Sequence, residues 1–265
     1  MGGMQKLLHS GRSEHAEAKR LAERPSAASR RSSVTLWLRS MRRRQATTLF
    51  VTVAMAAGFA AFGFPWSALN EGWHRSPEIT VISPAADPRL PVLEEALEFW
   101  NHTFAGLGTP FRLGTIHRVV DELPDADLQA LSGVTAGWFS DGMLRGAWLR
   151  QHPAPFDRFG GDLLICLSSA KFISFSSRIG NRRLIAIKNA QLEPLTMPNV
   201  LRNVIAHELG HAIGLGHNSD PTTLMCGRPA PCRPNIYASE TPHFFPLTEA
   251  DRDRLRRLYP ANWGR

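Results

Sequence analysis

The sequence predicts an α/β domain, on two observations. Short β-branched and apolar runs are bounded by Gly and Pro, which is a strand pattern; elsewhere apolar residues recur at three- and four-residue steps, which is a helix pattern. The chain has 265 residues, enough for one domain of ordinary size plus extra segments. No internal repeat is apparent.

The folded domain is expected over 77–265. Ile79 to Ile82 reads as its first strand by β-branched content. In LPVLEEALEFWNHTF, Leu93, Leu97, Trp100 and Phe104 share one face of a helix near 91–105 that would pack on a sheet. Further strands are expected at Phe111 to Ile116, Met143 to Trp148, Gly161 to Leu167 and Leu184 to Ile187. The apolar run VLRNVI opens a helix near 199–213, and LTEADRDRLRRLYP gives a closing helix near 247–258.

A formal charge of +8 suggests nucleic acid until it is divided along the chain. The first 45 residues hold eleven Lys and Arg against three acids, so the remaining 220 residues are neutral and nucleic acid is excluded as a partner. Segment 1–45 is rich in Arg, Ser and Ala without periodicity and is expected to be disordered. Residues 46–64 are nineteen in a row without a charge, preceded by Arg42, Arg43 and Arg44. That is close to the roughly 20 apolar residues that span a bilayer, with positive charge on the cytoplasmic side. A transmembrane signal anchor would leave the domain a single-pass, extracytoplasmic membrane protein. A cleaved signal peptide, with Met41 and its arginines as n-region and Ala61 to Gly63 as small-residue site, would leave it secreted or periplasmic. Residues 65–76 read as a linker whose Trp66 and Trp73 suit a membrane surface.

Three cysteines are too few for a disulfide scaffold, so the domain rests on an apolar core. Cys226 and Cys232, in a Gly- and Pro-rich loop, either form a local bridge or stay free; Cys166, in an apolar run, reads as a buried thiol.

The chemistry is concentrated in AHELGHAIGLGHNSDPTTLMC, residues 206–226. Residues four apart on a helix face the same way, so His207 and His211 can present ring nitrogens to one metal ion, with Glu208 beside the first. Gly214 can take positive φ, end the helix and return His217 as third ligand. Three neutral imidazoles suit Zn²⁺ and leave a fourth position for water. The ion would lower the pKa of that water, and Glu208 is placed to take its proton as general base and pass it to a departing amine. A structural zinc would instead close with a fourth protein ligand, for which Cys226 is the nearby candidate.

HELGHAIGLGH followed by Met225 resembles the metzincin clan of zinc peptidases, signature H-E-x-x-H-x-x-G-x-x-H with a later Met-turn. Within the clan, HELGHAIGLGHNSDPTTLM is most similar to the matrixins. The resemblance implies a metzincin fold, a twisted mixed β-sheet with an active-site helix and a C-terminal helix, one catalytic zinc and peptide-bond hydrolysis. It makes Met225 a hydrophobic floor under the metal. GMLRGAW is similar to the family's edge strand, which implies that Leu144, Arg145, Gly146 and Ala147 hold an extended substrate by β-augmentation.

Several departures bound what carries over. FGGDLLICLS is similar to the strand that supplies structural zinc and calcium ligands, but Leu164 and Cys166 stand where His and Asp belong, so neither a second zinc nor calcium is supported. No cysteine switch precedes the domain. Asn218 replaces a small hydroxyl residue. CGRPAPCRPNIY follows Met225 in place of the family's pocket segment, so side-chain preference does not transfer; Tyr237 either lines that pocket or is a surface loop residue. The expectation is a zinc endopeptidase acting on extracytoplasmic protein or peptide substrates. Its rival is an inactive, membrane-tethered binding module that keeps the fold without turnover.

Overall fold

Why the chain folds as it does is clearest in its strands. The computed structural model of the protein describes residues 71–135 and 154–264. Five strands form one mixed sheet in the order β2-β1-β3-β5-β4: β1 is Ile79–Ser83, β2 Ile116–Val120, β3 Leu163–Leu167, β4 Phe175–Ile179 and β5 Arg182–Ile187. β1 is parallel to β2 and β3, β3 is parallel to β5, and β4 is antiparallel to β5. Ile79 and Val81 of β1, Leu163, Ile165 and Leu167 of β3, and Ile185 and Ile187 of β5 point into one core. Their neighbours Ile82, Leu164, Cys166, Leu184 and Ala186 point into a second. A sheet buried on both faces needs continuous apolar strands, and β3 (LLICL) is buried at every position.

Helices cover both faces. On the first lie α1 (Leu90–Gly106) and the helix that carries the histidines, which is α4 (Pro198–Ala212) after α2 (Asp125–Thr135) and the short α3 (Ala154–Asp157) in chain order. α1 buries Leu93, Ala96, Leu97, Trp100 and Phe104. Trp100 also donates its indole N–H to the Ala206 carbonyl at 3.0 Å, a bond that ties α1 to the middle of α4. Leu128 and Leu131 of α2, with Phe156 and Phe159, fill the second core. A final helix, α5 (Glu249–Leu258), begins with a capping box between Thr248 and Asp251 and has Arg256 and Arg257 in its last turn, which complement the helix dipole.

The expected α/β class, the mixed sheet and the three long helices are all present, with helix ends shifted by a residue or two. The strand expected at Phe111 to Ile116 is displaced to Ile116–Val120. Phe111 and Leu113 are buried, but Asn101 of α1 holds the Leu113 N–H and carbonyl, so this segment is anchored to a helix instead of a strand. β2 itself, IHRVV, has no fully buried residue, and His117 and Arg118 interrupt its apolar residues. β4 was not expected because FSSRI is polar; its sign was Gly180 and Asn181, the two residues between the β4 and β5 partners Ile179 and Arg182. The Met143 to Trp148 strand, the apolar run 46–64 and Trp66 lie outside the described residues. Among the described residues no helix is long and apolar enough to cross a membrane.

Trp73, expected in a linker and at a membrane surface, is instead part of the domain. Its indole N–H donates to the Ala212 carbonyl at 2.8 Å, the Arg183 guanidinium stacks on its ring at 4.2 Å, and its own carbonyl accepts from Trp263 Nε1 at 2.7 Å. Arg183 also donates to the Ala212 carbonyl and, at 2.6 Å, to that of Glu71. An α-helix ends with carbonyls that have no partner in the helix, and this strap supplies donors to one of them. Trp73→Ala is therefore expected to lower the unfolding free energy by about 2 kcal/mol in urea titration; a change near zero would place residues 71–73 outside the cooperative unit. Burial pushes the Cys166 thiol up to about 12, so it should resist iodoacetamide at pH 8 in the folded protein. Labelling at the rate of a free thiol would contradict its place in the second core.

Candidate active site

The site is built on the C-terminal half of α4 and the turn that follows. α4 starts with Pro198 at its first position, where the missing N–H costs nothing. It ends where the sequence placed the break. Gly214 has φ +99, its N–H bonds the His211 carbonyl, and the Leu215 N–H reaches back to the Gly210 carbonyl, both at 3.0 Å. This pair of bonds is a Schellman closure. The positive φ is what favours glycine here; a Cβ would also meet Leu258 Cδ1 at 2.7 Å, which that side chain could relieve by shifting. The carbonyls of Ala212, Ile213 and Gly214 are taken by Trp73 and Arg183, by the Tyr259 hydroxyl (2.9 Å) and by Arg254 Nε (2.7 Å). The end of the helix is thus fixed from three elements.

His207, His211 and His217 then converge. Their Nε2 atoms are 3.1 Å (207 to 211), 3.0 Å (211 to 217) and 3.2 Å (207 to 217) apart. On the other side of each ring, Nδ1 faces a backbone carbonyl: Leu224 O at 2.7 Å for His207, Leu215 O at 2.9 Å for His211 and Arg228 O at 2.8 Å for His217. A carbonyl only accepts, so each Nδ1 carries the proton and each Nε2 is left with a lone pair. Three lone pairs facing one point cannot bond each other; they can share a cation. Nitrogens bound tetrahedrally at zinc's usual N distance sit about 3.3 Å apart, close to the separations found. Burial, and for His207 and His211 also the neighbouring imidazoles, hold all three rings below their usual pKa, His207 at about 4. The neutral ring is the form that binds metal, so the residues present fit one Zn²⁺ ion.

Parts of the brace were not foreseen. The Leu224 carbonyl that fixes His207 also accepts from the Tyr237 hydroxyl at 2.5 Å, and that hydroxyl is 3.3 Å from His207 Nδ1. Tyr237 is buried, which corrects the surface-loop reading; it supports a ligand from behind. Its short 3₁₀ turn, Pro234–Tyr237, is held to α4 by Asn199, whose amide donates to the Tyr237 carbonyl at 2.9 Å. Asn203, one turn on, donates to the His243 carbonyl and accepts from the Phe245 N–H. Two buried asparagines, Asn203 inside the apolar run VLRNVI and Asn199 directly before it, were the available sign of such a role.

Met225 is fully buried, and a Cβ on Gly210 would fall 2.5 Å from its sulfur. It lies against the helix face between His207 and His211, as a floor would. Asn218 ties the returning loop together: its backbone exchanges bonds with Met225 and Gly227, and its amide donates to Asp251 of α5 at 3.1 Å. Glu208 is buried beside His207, and burial pushes its carboxyl up to about 8. A nearby cation would favour the charged form. Cys226 is bonded to Cys232, so it is not a thiolate ligand. Among the described residues, the three histidines are the cluster able to hold a metal. A separate cavity of about 680 Å³ at the β2 border, lined by His117, Asp121 and Arg158 among others, shares no residue with them. Leu144, Arg145, Gly146 and Ala147 lie outside the described residues. β4 and β5 both pack on α4.

Gly227 lies directly on His217, where an added Cβ would be 2.2 Å from the ring. Gly227→Ala should displace that ring and weaken zinc binding by about 10- to 100-fold, measured by chelator competition. Unchanged affinity would show that His217 is not a ligand.

The matrixin family model matches residues 154–260, which contain the histidines and Met225. Matrix metalloproteinase-27 of Tupaia belangeri is 43% identical over 56 residues, 21% of this chain; the match spans only 9% of that relative's length. Among solved structures, archaemetzincin of Methanopyrus kandleri aligns with TM-score 0.39 and 18% identity, over 70% of this chain and 96% of that one. A zinc-dependent peptidase of Methanocorpusculum labreanum aligns with TM-score 0.35 and 13% identity, over 67% and 99%. Over residues 154–260, the stretch that holds the three histidines and Met225, the chain is thus similar to the matrixins.

Proposed function

We propose that the protein is a zinc-dependent endopeptidase, with His207, His211 and His217 holding the ion and Glu208 acting as general base. The observation that carries this reading is the convergence of three Nε2 lone pairs within 3.2 Å of one another while each Nδ1 is spent on a carbonyl. Zinc held there supplies a Lewis acid that polarises a carbonyl and acidifies water. Glu208, one residue beyond His207 and out of bulk solvent, takes a proton from the attacking water and returns it to the departing amine. Burial alone raises its carboxyl to about 8, and a cation held by the three histidines would bring it back toward the ionised form that a base needs. The buried floor of Met225 and Leu224 keeps water from behind the ligands. An inactive binding module would be better served by a fourth protein ligand, and the described cluster has three.

The proposed place of action is outside the cytoplasm, on extended segments of proteins or peptides. The charge-free run 46–64 after three arginines supports this, through either an anchor or a cleaved signal. So does the Cys226–Cys232 disulfide, which suits an oxidising compartment.

Glu208→Gln is expected to retain one zinc per chain and to cleave a broad peptide library at least about 10²-fold more slowly than wild type. His207→Ala should lose the metal. Stoichiometric zinc in the wild type with no cleavage of any peptide would overturn the enzymatic reading.

A further inference from the structure

His217 differs from the other two ligands in how it is held. His207 and His211 sit on α4, where the backbone is fixed by the helix and by Trp100, Trp73 and Arg183. His217 sits on an exposed return loop, and its ring is placed by two groups from another segment. The Arg228 carbonyl accepts from Nδ1 at 2.8 Å and so sets the tautomer and the ring's rotation. Gly227 forms the shelf on which the ring lies, close enough that any Cβ there would overlap it. These residues open the loop 226–232, whose ends are joined by the Cys226–Cys232 bond. Within the loop the Ala230 N–H donates to the Gly227 carbonyl at 3.1 Å, Arg233 donates to the Ala230 and Cys232 carbonyls at the far end, and Arg228, Pro229 and Pro231 are exposed. The first cysteine is anchored, since Asn218 and Cys226 form a bridge flanked by the bonds between Asn218, Met225 and Gly227. The second carries that anchor across to the far end of the loop.

We propose that the Cys226–Cys232 disulfide is a positioning cross-link for the third metal ligand: by closing the loop that supplies Gly227 and the Arg228 carbonyl, it makes full metal affinity conditional on oxidation of the two thiols. The inference rests on the zinc reading above. A cross-link confines the loop, so an open loop samples arrangements in which the Arg228 carbonyl no longer faces Nδ1. The His217 ring then rotates freely and its Nε2 meets the other two for only part of the time. Opening the bond needs a dithiol reductant. One of its thiolates attacks a cysteine sulfur, the S–S bond breaks to a mixed disulfide, and the reductant's second thiol closes its own disulfide. Two electrons and two protons pass to Cys226 and Cys232. Exchange with a disulfide oxidant outside the cytoplasm would run these steps in reverse, its own S–S bond taking up the two electrons and two protons, and complete the site.

The test measures zinc affinity of the apo full-length chain by competition with a fluorescent chelator. It compares oxidised wild type, Cys226→Ser with Cys232→Ser, His217→Ala, and all three changes together. Loss of the bridge is expected to weaken zinc binding by about tenfold or more when His217 is present and to have no such effect when it is alanine. Wild-type protein reduced with a dithiol and alkylated gives the same comparison if the serine variant does not fold. A smaller change, or an equal one with and without His217, would overturn the proposal while leaving the zinc reading intact. An oxidised wild type that binds no zinc would instead sink the reading on which it rests.

Discussion

Three hydrogen bonds from imidazole Nδ1–H groups to the backbone carbonyls of Leu224, Leu215 and Arg228 set the chemistry of this domain, because they decide which nitrogen of each ring is free. With any one of them absent, a ring could turn and protonate Nε2, and the converging lone pairs would lose a member. Each carbonyl is itself held. Leu224 is pinned by Tyr237 and by its own N–H to the Pro246 carbonyl, Leu215 by the turn at Gly214, and Arg228 by the loop that the disulfide closes. Much of the surrounding structure serves to keep three oxygen atoms in place.

The same logic explains the effort spent on the end of α4. A helix terminus leaves carbonyls unpaired and frays readily. Here His211 lies in the last turn, so fraying would move a ligand. Trp73 and Arg183 from one direction and Tyr259 and Arg254 from another bond the last carbonyls, and Gly214 admits Leu258 against the turn. Segment 71–73 and helix α5 are distant in sequence and meet at this point, which makes both ends of the described chain part of the site's support.

The sequence made the convergence of the three histidines and the helix break at Gly214 legible, because their spacing has a geometric meaning that depends on local backbone, whereas Met225 was marked only by the resemblance to a family. α1 and α5 were legible for a similar reason, as periodicity reports a face that must be buried. What could not be read was set by partners far along the chain. Phe111 and Leu113 look like strand residues, yet Asn101 fixes them as a loop. β4 hides because its polar residues are covered by other elements, and only the Gly180–Asn181 turn marks it. Trp73 looks like an interfacial residue until its partners at Ala212 and Arg183 are known. Tyr237, Asn199 and Asn203 act through backbone carbonyls and N–H groups of other segments, and such bonds leave no periodicity in a single sequence.

X-ray absorption of the zinc-loaded protein tests the central geometry most directly. Three imidazole nitrogens and one further light atom at about 2.0 to 2.1 Å, with no sulfur, is the expected shell. A sulfur neighbour near about 2.3 Å, or an all-oxygen shell, would contradict the assignment of His207, His211 and His217 as the ligands.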